Sequence, residues 1–355
     1  MSTDGATAVQ AEPEGQDQGF QLPPEARRLS ELIDAITPWA IRVVATLRVP
    51  DLIADGVTEL ADLAERTGTL PGTLQRLLRH LVNKQFFAEP APGRYALTAV
   101  SELLRDSQPM HMRAWLDLGS AACRWDKTYI GMLDAVRTGK PVYGDIFGQS
   151  FWDDLTADPA LSESFDALMV QLASWSVPQV LADYDWSRIR HVVDVGGGRG
   201  VLLTELLRAH PQIRGTLFDK PATASAASAA LAEAGLAGRC ESVGGSFFDE
   251  LPADADLYLL ANVLHDWDDA DAAAILRRCA SAAAPHGRVL VLEMLLGGRA
   301  DQAWLAEMDL MMLCAVGGRK RTTDEFTELG QAAGLVLNSA RHTPAGISLL
   351  EFKTA

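Results

Sequence analysis

At 355 residues, 48% of them apolar, the chain is long enough for two domains with a substantial core. A net charge of −16 repels phosphate backbones over most of the surface and argues against nucleic acid as a partner. The four cysteines, Cys123, Cys240, Cys279 and Cys314, lack C-x-x-C spacing, which argues against a zinc site or a disulfide framework. No basic start leads into an apolar run and no apolar stretch reaches the ~20 residues that span a bilayer, so the expectation is a cytoplasmic protein with no membrane partner.

Residues 1–24, rich in Ala, Gly, Gln, Glu and Pro, read as a disordered, solvated tail. From Glu25 to Ala54, Leu29, Leu32, Ile33, Ile36, Trp39, Ala40, Val43, Val44 and Leu47 recur at helical spacing, with a break expected near Pro38. These helices carry more apolar surface than a short bundle can bury, and a second subunit is the expected cover. A helix beginning at the cap Thr58, a second from Pro71 to Asn83 and a hairpin in FFAEPAPGRYALT then spell a winged helix-turn-helix. Arg76, Arg79, His80 and Lys84 on the second helix admit a ligand-sensing DNA-binding regulator, but the acidic chain without a basic arm favours a reused scaffold. The unit is expected to span 25–110. Residues 111–184 follow as a helical capping layer with Trp115, Trp125, Tyr129, Phe147, Phe151, Trp152, Phe165 and Trp175, a stripe suited to core packing or to enclosing a planar substrate.

From 185 to 355, strands at Arg214–Phe218, Arg239–Val243, Asp256–Ala261 and Arg288–Glu293 alternate with helices after an opening strand at His191. This predicts an α/β Rossmann-like domain whose mostly parallel sheet ends in an antiparallel edge pair about the Pro-Ala-Gly turn near the C-terminus. The opening stretch HVVDVGGGRGVLLTELL reads as strand, bare turn and helix, with Gly196, Gly197, Gly198 and Gly200 clearing the turn for a ligand. Neither glycine register puts a small residue third, as the dinucleotide fingerprint requires, and no Gly-Lys-Ser/Thr follows for a P-loop. Asp194 is placed to hold the turn's N–H groups or a cationic ligand, and Asp219, ending the next strand, to accept both ribose hydroxyls. That pattern suits a nucleoside without a pyrophosphate, of which S-adenosylmethionine is the usual one.

The segment LLANVLHDWDD puts His265, Asp266 and Trp267 at a strand's carboxyl end, on the face where the glycine turn opens. A neutral imidazole there can take the proton from a bound hydroxyl. Glu293, ending the strand LVLE, is placed to bond the second imidazole nitrogen and fix its tautomer.

Together DVGGGRG, LFDKP, SFFDELP, LHDWDD, LVLEMLL and GGRKRTTDEF resemble the S-adenosylmethionine-dependent O-methyltransferases of the plant caffeate type and their bacterial counterparts in secondary metabolism. The resemblance implies a homodimer, built through the winged-helix domain, that methylates a phenolic or enolic hydroxyl of an aromatic metabolite, releases S-adenosylhomocysteine and needs no metal. By the same resemblance His265 and Glu293 are catalytic. The turn of Gly196, Gly198 and Gly200 with Asp194 holds the methionine end, Asp219 the ribose, and Ser246 with Phe247 the adenine beside Trp267. Trp152, Met169, Asp266, Met308 and Met312 face the substrate. A few bacterial relatives of this family keep the cofactor while acting as hydroxylases or decarboxylases. Two positions depart from the pattern: Ser246 stands where an acid commonly binds the adenine amino group, and Lys320 stands where a second glutamate often flanks the catalytic histidine. An inward Lys320 disfavours imidazolium formation, so either Glu293 suffices or the lysine faces solvent.

Overall fold

The computed structural model describes residues 23–355 except residue 284, so the expected tail lies almost wholly outside the described residues. Strands β1 (Phe87–Ala91) and β2 (Arg94–Leu97) form the antiparallel wing. The large sheet holds β3 (His191–Val195), β4 (Arg214–Asp219), β5 (Cys240–Gly244), β6 (Leu257–Ala261), β7 (Arg288–Met294), β8 (Leu335–His342) and β9 (Ile347–Thr354). Its spatial order is β5-β4-β3-β6-β7-β9-β8, with β9 antiparallel to β7 and to β8. The parallel sheet and its antiparallel edge pair are those expected from the sequence.

Alternation along each strand decides what covers each face. Val193 and Val195 of β3, with Tyr258 and Leu260 of β6, point to a core shared with Ile275, Leu276 and Phe326 from the helices Asp269–Ala283 and Thr323–Ala332. Val192, Leu257 and Leu259 point the other way, onto Leu203, Leu206 and Leu207 of the helix Val201–Ala209. Burial on both faces is why these strands read as near-continuous apolar runs.

The N-terminal unit has its own core, in which Val44, Leu63, Leu78, Phe87 and Tyr95 are fully buried or nearly so. Two local expectations need correction. The break in the first helical stretch lies between the helices Pro24–Leu32 and Ile36–Thr46, and Pro38 sits in the first turn of the second, where its missing N–H costs nothing. Thr58 does not cap the next helix: its carbonyl accepts from Tyr95 N at 2.9 Å and Glu59 bridges to Arg94, so this segment pairs with the wing, and the helix runs Leu60–Thr67 without a side-chain cap. The second helix spans Pro71–Asn83 as predicted.

The helix Pro159–Asp183 joins the two halves of the molecule. Its Leu161, Phe165 and Leu168 pack into an aromatic cluster, whereas Val177 and Val180 lie on the sheet. Trp115, Trp125, Phe147, Phe151, Trp152 and Phe165 gather in that cluster; Trp175, 54% exposed, and Tyr129 do not. Among the described residues no helix is long and apolar enough to cross a membrane.

Candidate active site

The chain leaves β3 for β4 and β5 at one edge, then returns to β6 on the other side of β3. Connections therefore diverge at the carboxyl end of β3 and open a crevice there. The glycine turn lies in it, with Gly196, Gly198 and Gly200 at φ of 73°, 55° and 78°, a backbone that side chains with a Cβ rarely adopt. A Cβ at Gly198 would meet nothing within 4 Å, so the turn presents open backbone to a ligand.

Of the turn's amides, Gly198 N answers to Asp219 rather than to Asp194. Gly198 N donates to Asp219 Oδ2 at 2.8 Å, Lys220 N donates to Oδ1 at 2.7 Å, and Gly196 N goes to the Phe218 carbonyl. Asp194, 2% exposed, is left with its carboxyl beside the turn, and burial together with the Asp219 charge pushes its pKa up to about 7. Of the two roles expected for Asp194, the cationic ligand remains.

An aromatic wall runs from the turn. Phe247 borders Gly196 and meets Trp267 edge-on at 5.5 Å between ring centres; Trp267 stacks on Trp152 at 5.8 Å and 12°. Lys220 Nζ sits 5.0 Å from the Trp152 ring centre. Met169, Met308 and Met312 pack with Trp152 in the aromatic cluster, with Met312 wholly within the core. Ser246 is exposed, and its Oγ accepts from Phe248 N at 3.3 Å.

His265 is delivered by a sharp turn out of β6. Asn262 takes φ 54°, its N–H still paired to the Leu292 carbonyl, and a short 3₁₀ turn over Leu264–Asp266 follows. The imidazole then faces the end of β7: Nδ1 lies 2.8 and 3.0 Å from the two oxygens of Glu293, which also accepts from His265 N at 3.3 Å. Burial opposes the Glu293 charge, but the His265 contacts and nearby Lys320 outweigh it and hold the carboxyl below its ordinary value. A hydrogen bond from Nδ1 to Glu293 needs the proton on that nitrogen, while Nε2 lies 3.4 Å from Asp266 Oδ1.

Lys320 points inward. It is 4% exposed, with Nζ 3.9 Å from Glu293 Oε2. Arg321, which the sequence did not single out, is also buried: its guanidinium donates to the Leu264 carbonyl at 2.8 Å, the Trp267 carbonyl at 2.8 Å and Asp269 at 2.9 Å. It thus clamps the turn on both sides of His265. Changing Arg321→Met strands the Trp267 carbonyl, leaves the Leu264 carbonyl only the Trp267 N–H at 3.4 Å, and should cost about 3 kcal/mol of stability, since hydrogen bonds to a charged donor are worth ~1.5–3 kcal/mol each. Thermal unfolding followed by near-ultraviolet circular dichroism checks it, and an unchanged midpoint contradicts the clamp.

Among the described residues no group of three or more His, Cys, Asp or Glu side chains could hold a metal ion.

Comparison with known proteins adds the family. Residues 129–336 match the O-methyltransferase domain model and residues 30–107 the O-methyltransferase dimerisation domain model. The chain is 46% identical to 2,7-dihydroxy-5-methyl-1-naphthoate 7-O-methyltransferase of Streptomyces carzinostaticus, over 91% of this chain and 96% of that one. It is 44% identical to aclacinomycin 10-hydroxylase RdmB of Streptomyces purpurascens, over 91% and 89%. Among solved structures, an O-methyltransferase (NcsB1) from neocarzinostatin biosynthesis, in complex with S-adenosylmethionine and 2-hydroxy-5-methyl naphthoic acid, superposes with a TM-score of 0.88 at 45% identity, over 92% of this chain and 98% of that one. With a glycine turn at the sheet's switch point, a paired histidine and glutamate beside it and relatives matched over nine-tenths of its length, the chain belongs to the O-methyltransferase family.

Proposed function

We infer that the protein transfers a methyl group from S-adenosylmethionine to a phenolic or enolic hydroxyl of a fused-ring aromatic metabolite of the naphthoate or polyketide kind, as a homodimer. The observation that carries this reading is the His265–Glu293 pair, held at 2.8 Å beside the open glycine turn in a chain 46% identical to a naphthoate O-methyltransferase.

The residues fit the cofactor. Gly198 offers bare backbone, Asp219 has carboxylate lone pairs beyond those its two amides use, Phe247 and Trp267 give flat apolar faces, and Asp194 is a buried acid with a nearby acidic neighbour. Asp194 and the turn would hold the methionine end, Asp219 the ribose, and Ser246 with Phe247 the adenine. Bound there, S-adenosylmethionine supplies an electrophilic methyl group. His265 Nε2 would take the proton of the substrate hydroxyl as that oxygen bonds the methyl carbon, and Glu293 would stabilise the imidazolium that results. Trp152, Met169 and Met308 would press the substrate ring into line, an orientation effect that can be large.

Dimerisation fits the N-terminal helices, which leave Leu29, Leu32, Ile33 and Ile36 exposed along one stretch within residues 30–107 or just before it. The DNA-binding alternative loses two of its four basic residues to this unit: Lys84 pairs with Asp34, and His80 meets Thr37 Oγ1 at 2.9 Å.

The test is calorimetric titration with S-adenosylmethionine, followed by a screen of hydroxynaphthoates and hydroxyquinones for S-adenosylhomocysteine release. Methyl transfer to any of them supports the reading. The 44% identity to a hydroxylase favours one second reading, and cofactor binding without methylation of any phenol would move the assignment there.

Asp194 gives a pH prediction of its own. Its carboxyl is pushed up to about 7, so near neutrality it binds a proton that a cationic ligand must displace. Affinity for S-adenosylmethionine should rise as pH climbs from ~6 to ~8, and Asp194→Asn should flatten that dependence. Calorimetry across that range decides it; an equal slope in the variant removes Asp194 from the cationic end of the site.

A further inference from the structure

We propose that Lys320 is a positioning residue for methyl transfer: its buried ammonium is the counter-charge to the carboxylates around His265, and it sets the pH below which the imidazole is lost as a base. The proposal rests on His265 being that base, the reading given above.

The sequence forces the lysine inward through its neighbours. At Gly318 a Cβ would lie 2.1 Å from the His265 carbonyl oxygen and 2.5 Å from the Asp266 carbonyl carbon, so only glycine lets this loop press against the turn that carries His265. On one side Lys320 N donates to Asp309 Oδ1 at 2.6 Å; on the other, the Arg321 carbonyl accepts from Leu296 N at 3.0 Å. With its backbone pinned at both ends, the side chain enters the space between the sheet and the helix Gln302–Ala315.

The charges that face it come from each element around it. Glu293 lies at the end of β7, His265 and Asp266 in the turn after β6, and Asp309 on the helix Gln302–Ala315. The neighbouring Arg319 and Arg321 point elsewhere, to Asp269. Glu293 Oε2 stands between the imidazole and the ammonium, 2.8 Å from His265 Nδ1 and 3.9 Å from Lys320 Nζ, while Asp266 Oδ1 approaches His265 Nε2 at 3.4 Å. Two carboxylates flank this one imidazole, and an imidazole that already holds both protons cannot accept the substrate's. Lys320 draws on the same carboxylates without hydrogen-bonding the ring. Its own burial outweighs the three acids that oppose it and holds the ammonium below the ordinary lysine value. The arrangement therefore lets Glu293 fix the ring's tautomer without tying it up as imidazolium.

The experiment is the pH profile of kcat/KM for wild type, Lys320→Gln and Lys320→Arg, run beside a 15N-histidine NMR titration of His265. In Lys320→Gln the acid limb should move to higher pH by about one unit, with activity on the alkaline plateau within a few-fold of wild type, and Lys320→Arg should restore the limb. A merely structural lysine would lower the whole profile and leave the limb in place, and that result overturns the proposal. Should the single variant not fold, Asp309→Asn/Lys320→Gln removes a positive and a negative charge together and must still show an upward limb, smaller than one unit because the lost carboxylate offsets part of the lost ammonium. The NMR titration needs no turnover. An upward shift in the variant of a protein that methylates no phenol would support the electrostatic role and sink the methyltransferase reading; methyl transfer with an unmoved titration would do the reverse.

Discussion

His265→Ala should lower the rate of methyl transfer by about 100- to 10,000-fold while leaving the affinity for S-adenosylhomocysteine unchanged. The separation follows from the architecture. His265 hangs from the end of β6 and touches Glu293 and Asp266, whereas the glycine turn and Asp219 are held by β3 and β4. Removing the imidazole therefore leaves the cofactor groups in place. Its partner has a distinct signature: Glu293→Gln keeps the shape of the pair but no longer requires Nδ1 to carry the proton, so turnover should fall with little change in KM. Turnover in His265→Ala equal to wild type would mean that the substrate ionises unaided and that orientation alone carries the reaction.

The second large effect is expected at Asp219. Asp219→Ala should weaken S-adenosylhomocysteine binding by about 10- to 100-fold, because a charge-assisted hydrogen bond to a ligand is worth ~1.5–3 kcal/mol. Part of the loss would be indirect, since the same carboxylate receives Gly198 N and Lys220 N and so shapes the turn it faces. Asp219→Asn separates the contributions. Its amide oxygen can still accept one of these N–H groups, so the variant should fall between wild type and alanine. Calorimetric titration measures both, and binding by Asp219→Ala as tight as wild type would reduce the glycine turn to a structural corner with the cofactor elsewhere.

These predictions could be framed because much of the site is local in sequence. The β-branched run before Gly196, the glycines after it and Asp219 at the next strand's end fix a strand, a turn and an acid through backbone sterics and strand period alone. His265 and Glu293 are legible as a pair for the same reason: one follows the end of β6, the other lies at the end of β7, and these strands are neighbours in a parallel sheet with matched register. The outline of the winged helix, too, follows from helical spacing and a hairpin turn.

What the sequence left open were questions of direction and of competition between partners. Thr58 has the chemistry of a cap, but the wing took its segment as a third pairing partner, and nothing within a few residues of Thr58 announces that. Trp175 belongs to the same aromatic stripe as Trp152, yet its side chain is exposed on the helix Pro159–Asp183, between the stretch that packs into the aromatic cluster and the stretch that packs on the sheet. Asp194 and Asp219 are equivalent as acids near a glycine turn; only the approach of β4 to the turn gives Gly198 N to Asp219 and leaves Asp194 to burial.

The sequence by itself thus determined the order of elements, the parallel sheet, the glycine turn and the two polar strand ends, because backbone conformation and strand period are set over a handful of residues. Only the tertiary structure decided that Lys320 turns inward and that Arg321 clamps the His265 turn. Whether a long charged side chain is buried depends on how closely Gly318 lets its loop approach the turn of His265, which is distant in sequence, and on which acids wait on the other side.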